Sequence, residues 1–541
     1  DLPAGAVHRI NLGPLSRQAV ASLGTDYSGS AAELYAATGG NPFLITEALQ
    51  VPGLSASAGV RDAVRVRSSR LSPPARHLAD LIAVVPSQVE RDLLAAVSSS
   101  PTEVLDECRK RGLVEYDDTW IWYRHELVRK AMHDSLHEET RRSLNNQILE
   151  GLIAAEGDLA RIVHHAGQAA QHEVLGRFAP RAARQATAAG SHREALTHFR
   201  IAAEHRRYLA ATEQAALLSE YAVEAYLGDE PAEALEVSAE ALELWRQVGD
   251  VEHQGEMLRW QSRFHWWLGH SDLAESTGTA AVAVLETVAD SEQLPMAYSN
   301  LAQLAMLAQE FAPAVDWSTK AIAAARLRDD QATLAHALNN LGSAQVRVGN
   351  LEGFELLEQS LQIALEHHFG DHAGRAYANL IWTALDYRMY DRADEYLADG
   401  MAYALDRDLR GNLHYMTSER ATLRLQRGDW DECEQDLDWV SVQPEEPGIT
   451  QMPALATRAR LAVRRGDPDA AEALEEAWAA AEPTGELQRI APVAAARAES
   501  AWLGGDPAAI AAAVEPSFTV ATAVGQPWVA DELRFWMWRS G

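Results

Sequence analysis

The side chains that could ligate a metal are the first to weigh. His164, His165 and His172 form one grouping, and His367, His368 and His372 form another. His368 and His372 stand four apart, a spacing that brings two imidazoles to one helix face. The run "EHHFGDH" straddles a turn at Gly370, however, and lacks the His-Glu-x-x-His frame of a zinc site. Solvated histidines are the expectation for both groups. Cys108 and Cys433 make no Cys-x-x-Cys pair, which points away from a zinc ribbon or a disulfide framework and toward a reducing compartment. No Gly-x-Ser-x-Gly elbow, catalytic cysteine setting or paired-carboxylate frame stands out among the 78 acidic residues. No catalytic residue and no metal site are therefore assigned.

Phosphate chemistry has its own requirement, a run of backbone amides followed by a lysine. No Gly-x-x-x-x-Gly-Lys-Ser/Thr occurs, and the lysines, Lys110, Lys130 and Lys320, never follow a glycine. These residues cannot hydrolyse ATP by that route. Aromatic side chains offer recognition instead. Trp260, Phe264 and Trp267 fall on one helical face at i, i+4 and i+7, and Trp382, Tyr387, Tyr390 and Tyr396 cluster further on. Two readings stay open: core filling between stacked helices, or a cradle for an effector. Trp260, Phe264, Trp267, Trp382 and Tyr387 are the candidate ligand or partner residues.

The elements that would position them repeat. A turn residue recurs at Gly190, Gly228, Gly269, Gln309, Gly349, Arg388, Gly428, Gly466 and Gly505, spaced 38 to 41 residues apart. Five positions later there is usually a small residue: Ala195, Ala274, Ala314, Ala393, Cys433 and Ala471. Each unit reads as a helical hairpin, as in "AYSNLAQLAMLAQEFAPAVDWSTKAIAAARL". Phe354 occupies a slot where a small residue is expected, so that copy is either an exception or displaced by one residue. Cys433 in the same slot reads as a packed thiol. The units resemble the tetratricopeptide repeat, whose usual period is about 34 residues; the longer period here implies longer helices or connections.

A chain of 541 residues is too long for one ordinary core, and its Ala, Leu, Glu and Arg content favours helix. The formal charge of -31 repels phosphate backbones, and the short run Arg65, Arg67, Arg70 reads as a solvated face. No apolar run approaches the roughly 18 to 20 residues of a membrane helix, and the first residues carry no signal pattern, so a cytoplasmic location is expected. Ahead of the repeats, short helices are expected over 61–70, 75–84, 89–97 and 102–111. They precede a hairpin in "GLVEYDDTWIWYRHE" turning at Asp117, Asp118 and Thr119. Three helices and a hairpin make a winged helix. Its helix before the hairpin mixes Glu103, Asp106 and Glu107 with Arg109, Lys110 and Arg111, a face suited to internal packing more than to DNA.

Taken in order, "GGNPFL", "LSPPAR", "YRHELVRKAM" after a hairpin and a long repeat array resemble the signal-transduction ATPases with numerous domains (STAND). The likeness is greatest to the large ATP-binding transcription regulators of the LuxR type, and "GQPWVADELRFWMWRSG" resembles a segment inside such proteins. The resemblance implies an all-α fold with one small β-hairpin: a winged helix followed by a tetratricopeptide-like α-solenoid superhelix. Residues 1–50 would be the lid of a nucleotide domain whose core is missing, 51–140 the winged helix, 141–175 a connector, and 176–541 about nine repeats. Pro42 would touch adenine and His125, in "RHELVR", the β-phosphate of ATP or ADP, in the intact protein only. Pro42 as a plain helix start and His125 as a structural cap remain alternatives. The implied function is the sensor portion of an ATP-dependent regulator. It would bind a small-molecule inducer or a regulatory protein and relay that to an ATPase outside this chain. The chain itself would hold no cofactor, have no enzyme activity and bind neither nucleic acid nor membrane, with oligomerisation of the intact protein open. The rival is a freestanding repeat scaffold for protein–protein interaction.

Overall fold

A computed structural model describes residues 13–23, 68–98, 102–441 and 451–541, with 31, 32, 35, 40, 42 and 45. Most of the stretch 39–49, the helix expected over 61–70 and the arginines at 65 and 67 lie outside the described residues. The chain divides into two compact units, residues 1–182 with 204–208, and residues 183–203 with 209–541. No described helix is long and apolar enough to cross a membrane.

In the first unit, α1 (Arg17–Leu23) buries Val20 against Ile45. Further on, α2 (Pro73–Ala83) starts where Pro73 supplies a fixed φ and Ser72 caps the Ala75 amide. β1 (Gln88–Glu90) leads into α3 (Arg91–Val97) and α4 (Thr102–Lys110), and the hairpin β2 (Val114–Tyr116) and β3 (Trp120–Tyr123) follows. The Asp117 carboxylate closes the hairpin turn by accepting from the Thr119 and Trp120 amides at 2.8 and 2.7 Å. The expected hairpin is in fact a three-stranded antiparallel sheet in the order β1-β3-β2. The helix expected from Val89 starts only at Arg91, because Val89 is buried opposite Ile121 and pairs as strand. The charges of α4 serve packing: Glu107 accepts from the Ser72 amide and hydroxyl at 2.8 and 2.7 Å, and Tyr116 donates to Asp106.

Three further helices complete this unit's core, α5 (Glu126–Ser135), α6 (Glu138–Ala154) and α7 (Leu159–Gln168). His165 corrects the expectation of solvated histidines. It is buried, bonded to Asn145 at 2.8 Å, and burial pushes its pKa down to about 3. His372 is half-buried, and desolvation lowers its pKa to about 4. His367 and His368 are exposed.

After α8 (His172–Ala188) and α9 (His192–Glu204), the second unit is a run of helical hairpins. Their first helices are α10 (Ala211–Leu227), α12 (Val251–Trp267), α14 (Leu294–Leu307), α16 (Gln331–Arg347), α18 (Gly370–Asp386), α20 (Arg410–Arg427), α22 (Met452–Arg465) and α24 (Leu487–Leu503). The second helices are α11 (Pro231–Val248), α13 (Ser271–Leu285), α15 (Phe311–Arg328), α17 (Gly353–Glu366), α19 (Tyr390–Asp406), α21 (Trp430–Ser441), α23 (Ala470–Ala481) and α25 (Pro507–Ala523). A last helix, α26 (Pro527–Arg539), follows them. This is a tetratricopeptide-like α-solenoid.

The periodic turn residues end the first helix of each hairpin. All but one carry positive φ, from 56° at Arg388 to 92° at Gly349 and Gly428; at Gly228 the left-handed residue is the next one, Asp229, at 66°. The residue after the left-handed one then donates back five positions, as Glu310 does to Ala305 at 2.8 Å and Met389 to Ala384 at 2.8 Å. That bond satisfies a carbonyl the helix end would otherwise leave open. The small residues behind these turns, Ala195, Ala274, Ala314, Ala393 and Cys433, are 0% exposed. Two copies differ. In one, Gly353 rather than Phe354 makes the close approach, since a methyl group there would lie 2.4 Å from the Gly342 carbonyl oxygen. In the other, Ala471 is exposed and Ala470 packs instead. Asparagines tie neighbouring first helices together: Asn300 donates to Ser262 at 2.9 Å and Asn340 to the Ser299 carbonyl at 2.7 Å.

Candidate functional site: an arginine-lined cavity on the inner face

The first helices of the hairpins turn toward one another, and residues 141 to 220 positions apart in sequence meet across the inside. The Trp266 indole donates to Glu486 at 3.0 Å across 220 residues, and Arg347 donates to Gln488 at 2.8 Å across 141. Tyr387 packs on Trp528 with ring centroids 4.9 Å apart. These bridges close the groove into a cavity of about 220 Å³ whose walls come from α10, α12, α14, α16, α18, α20, α22, α24 and α26.

Apolar area comes from Trp266, Trp267, Met306, Leu307 and Trp382. The polar wall is cationic, with seven arginines against four acids, in a chain whose net charge is -31. The arginines fall into two sets. Arg460 and Arg464 hold Glu499 at 2.6 and 2.7 Å, Arg489 holds Glu486 at 2.6 Å, and Arg388 lies 3.8 Å from Glu532. Arg263, Arg347 and Arg375, each under 9% exposed, have no carboxylate within 4 Å among the described residues. They bond neutral acceptors. Arg263 donates through Nε and Nη2 to the Tyr226 hydroxyl at 3.0 and 2.8 Å. Arg375 donates to Asn340 Oδ1 and the His336 carbonyl, both at 2.9 Å. Arg347 stacks on Trp382, 4.0 Å from the ring centre. Arg263 Nη1, Arg375 Nε, and Arg347 Nε and Nη1 have no acceptor.

Burial dominates the electrostatics. It pulls the Arg375 pKa down to about 9 and lowers that of Arg347. On the acid side it raises Asp386 to about 7 and Glu419 to about 8, so at neutrality Glu419 is mostly protonated and Asp386 about half so. The cavity is therefore more positive than a count of its side chains implies.

The candidate aromatics divide. Trp267 and Trp382 line the cavity. Phe264 is 0% exposed and packs against Tyr226 and Trp260, centroids 5.6 and 5.7 Å away. Trp260, under the Arg259 guanidinium at 4.3 Å, and Tyr387, which donates to the Val346 carbonyl, are not part of the wall. Trp266 and the arginines are absent from the sequence reading. A signal for them exists: Arg263 lies inside the Trp260–Phe264–Trp267 stripe, and Arg375, Asn379 and Trp382 repeat the i, i+4, i+7 spacing. In the first unit, Pro42 is exposed and His125 is the half-buried N-cap of α5, its side chain making no cap bond. Cys108 and Cys433 are buried, and burial pushes both thiols up to about 12.

No protein-family model matches the chain, and no curated protein matches it. Among solved structures it is similar to a signal transduction ATPase with numerous domains carrying a tetratricopeptide repeat sensor, from Pyrococcus horikoshii. That match has 14% identity and a TM-score of 0.38, over 88% of this chain and 73% of that one. It is also similar to a Rap protein complexed with competence and sporulation factor, at 15% identity and TM-score 0.45, over 65% and 94%. A plasmid Rap conjugation gene regulator in complex with the Phr* peptide is similar at 13% identity and TM-score 0.42, over 62% and 93%. At these identities and scores none of the three bears on what this chain binds.

Proposed function

We propose that the second unit is the sensor of a regulatory protein and receives an inducer in its inner cavity. The observation that carries this is the cavity itself: apolar rings and three buried guanidiniums without a carboxylate partner among the described residues line it from separate hairpins. Buried donors without acceptors are costly unless something supplies the acceptor. In the fuller form of the proposal, the chain is part of an ATP-dependent LuxR-type transcription regulator. α2 to β3 would be its winged helix, and occupancy of the superhelix would be passed to an ATPase domain. Such a relay needs different ligand affinities in the resting and active forms. Pro42 and His125 are the positions this form assigns to the nucleotide; the residues present offer no phosphate cradle, so the chain alone is assigned no nucleotide chemistry and no enzyme activity.

A scaffold role has one observation in its favour. Trp538, Phe535 and Trp502 are 71%, 46% and 40% exposed around the last helices, a surface on which another protein could dock. A thermal-shift screen of the purified chain against sugars, amino acids, organic acids and phosphate esters separates the two. A ligand at 100 times its dissociation constant adds about 2.7 kcal/mol to the native state. A shift from any small molecule supports the sensor; no shift, with a protein partner co-purifying stoichiometrically, replaces it with the scaffold.

A further inference from the structure

The sensor reading leaves the ligand's chemistry unassigned, and the cavity narrows it. Arg263, Arg347 and Arg375 come from α12, α16 and α18, the first helices of three separate hairpins. All three line the cavity, are more than nine-tenths buried, and lack a carboxylate partner among the described residues. Guanidiniums elsewhere on the same wall show how this fold treats a cation it means to neutralise: Arg460 and Arg464 share Glu499, and Arg489 pairs with Glu486. A chain with 78 acidic residues had carboxylates to spare, yet faces these three with a phenol, two side-chain amide oxygens and a backbone carbonyl. Asp371 acts on Arg375, and Asp386 and Glu486 on Arg347, only at a distance and without an ion pair; buried charge without an ion pair is destabilising, and an anion entering the cavity would relieve it. The wall is also the place where Trp266, Trp267 and Trp382 present ring area, so the ligand meets both a cationic and an apolar side. The bridges from Trp266 to Glu486 and Arg347 to Gln488 span the groove, and the space of about 220 Å³ between its walls is on the scale of a small molecule.

The geometry points to a small organic anion as the ligand of this cavity, its carboxylate or phosphate held by Arg263, Arg347 and Arg375 and its body laid against Trp267 and Trp382. This rests on the sensor reading. Guanidinium is suited to either oxyanion because its fork of N–H groups matches both in a bidentate fashion.

The test is tryptophan fluorescence and thermal-shift titration of the full chain at fixed ionic strength. The probes are glutarate, citrate, glucose 6-phosphate and inorganic phosphate, beside the neutral glutaramide and glucose. An acid should bind where its neutral counterpart does not, and whether glutarate or glucose 6-phosphate is preferred distinguishes carboxylate from phosphate. Arg347→Met and Arg263→Gln should each weaken that binding by at least about tenfold, while the unliganded melting temperature stays level or rises, since each removes an unpaired buried charge. Arg347→Lys should recover part of the affinity. Should one variant fail to fold, the other carries the test. Neutral glucose or glutaramide binding as tightly as its acid, or acid binding unchanged in both variants, overturns the anion and leaves the sensor standing. Binding of an acidic peptide alone overturns the small-ligand assignment. No binding by any probe or by the wider screen takes the sensor reading down with it.

Discussion

Glu419 allows a prediction that is independent of any ligand. Its carboxyl is 4% exposed at the cavity wall. Burial is the main cause of its raised pKa, about 8 against the ordinary 4.5; the Tyr415 hydrogen bond opposes the rise and Asp386 adds to it. In the unfolded chain the proton leaves near the ordinary value, while the native state keeps it to about 8. Across that window the unfolded state binds fewer protons, so stability falls as pH rises, by up to about 1.4 kcal/mol per pH unit. The contribution is whole below about pH 4.5, drains away up to about pH 8, and is flat beyond. Between pH 6 and pH 8 the wild type should therefore lose about 2 kcal/mol through this one group. Glu419→Gln keeps the shape and an oxygen for Tyr415 but cannot ionise. The measurement is urea unfolding of both proteins at pH 5, 6, 7 and 8, followed by circular dichroism and tryptophan emission. The gap in favour of the variant should widen steadily with pH and reach about 2 to 3 kcal/mol at pH 8. A gap that is constant with pH, or a variant less stable than wild type at pH 8, refutes the reasoning that burial holds this proton.

Two further outcomes follow from packing. Gly342→Ala places a methyl group 2.6 Å from the Gly353 carbonyl oxygen; backbone cannot step aside as a side chain can, so a loss of about 1 to 3 kcal/mol is expected. Gly167→Ala, with nothing within 4 Å, is the control and should be neutral or gain up to about 1 kcal/mol from helix propensity; equal melting temperatures for the two variants would count against the close approach. Phe264→Ala, at 0% exposure, should cost about 3 to 5 kcal/mol. Trp382→Ala, half-buried at the cavity wall under Arg347, should cost clearly less, and denaturation midpoints in the reverse order would show that Trp382 and not Phe264 is the core residue.

The solenoid was legible because its punctuation is covalent. A turn residue about every forty positions, glycine in seven of nine copies and followed by a small side chain, specifies a left-handed helix end and a close approach, and both requirements fall mostly on residue types that can be read directly. What escaped was the same geometry outside the forty-residue period. The connections between hairpins also turn through positive φ, at Asp329, His368 and Asp408, with values of 55°, 59° and 52°. Aspartate and histidine accept that conformation at a cost the surrounding helices impose, so their identity gives no warning. β1 escaped for a different reason. Three residues are too few to show alternation, and only pairing with β3 makes Gln88–Glu90 a strand. His165 and His372 read as solvated because a sequence gives no account of what packs over a helix face: His165 is buried against Asn145, 20 residues away, and half-buried His372 meets His336, 36 residues away.

The cavity was the least legible feature, and the cause is how a solenoid assembles a site. A catalytic motif announces itself because its residues share one turn or one strand. Here Arg263, Arg347 and Arg375 belong to three hairpins and occupy different positions relative to their turns, so the forty-residue period that exposes the scaffold averages them away. Composition hides them as well, since a chain of charge -31 gives no reason to look for a cationic interior. What survives in the sequence is a local contradiction: an arginine on the face of a first helix that otherwise carries tryptophan, alanine and asparagine. Arg263 lies between Trp260 and Trp267 on one stripe, and Arg375 begins the stripe that ends at Trp382. A buried guanidinium is expensive wherever it occurs, so its presence on the concave stripe of more than one repeat is a statement about what the inner surface is for. In repeat solenoids the residues that break the apolar pattern of the first helices, and not those that complete it, are the ones to assemble when a site is sought.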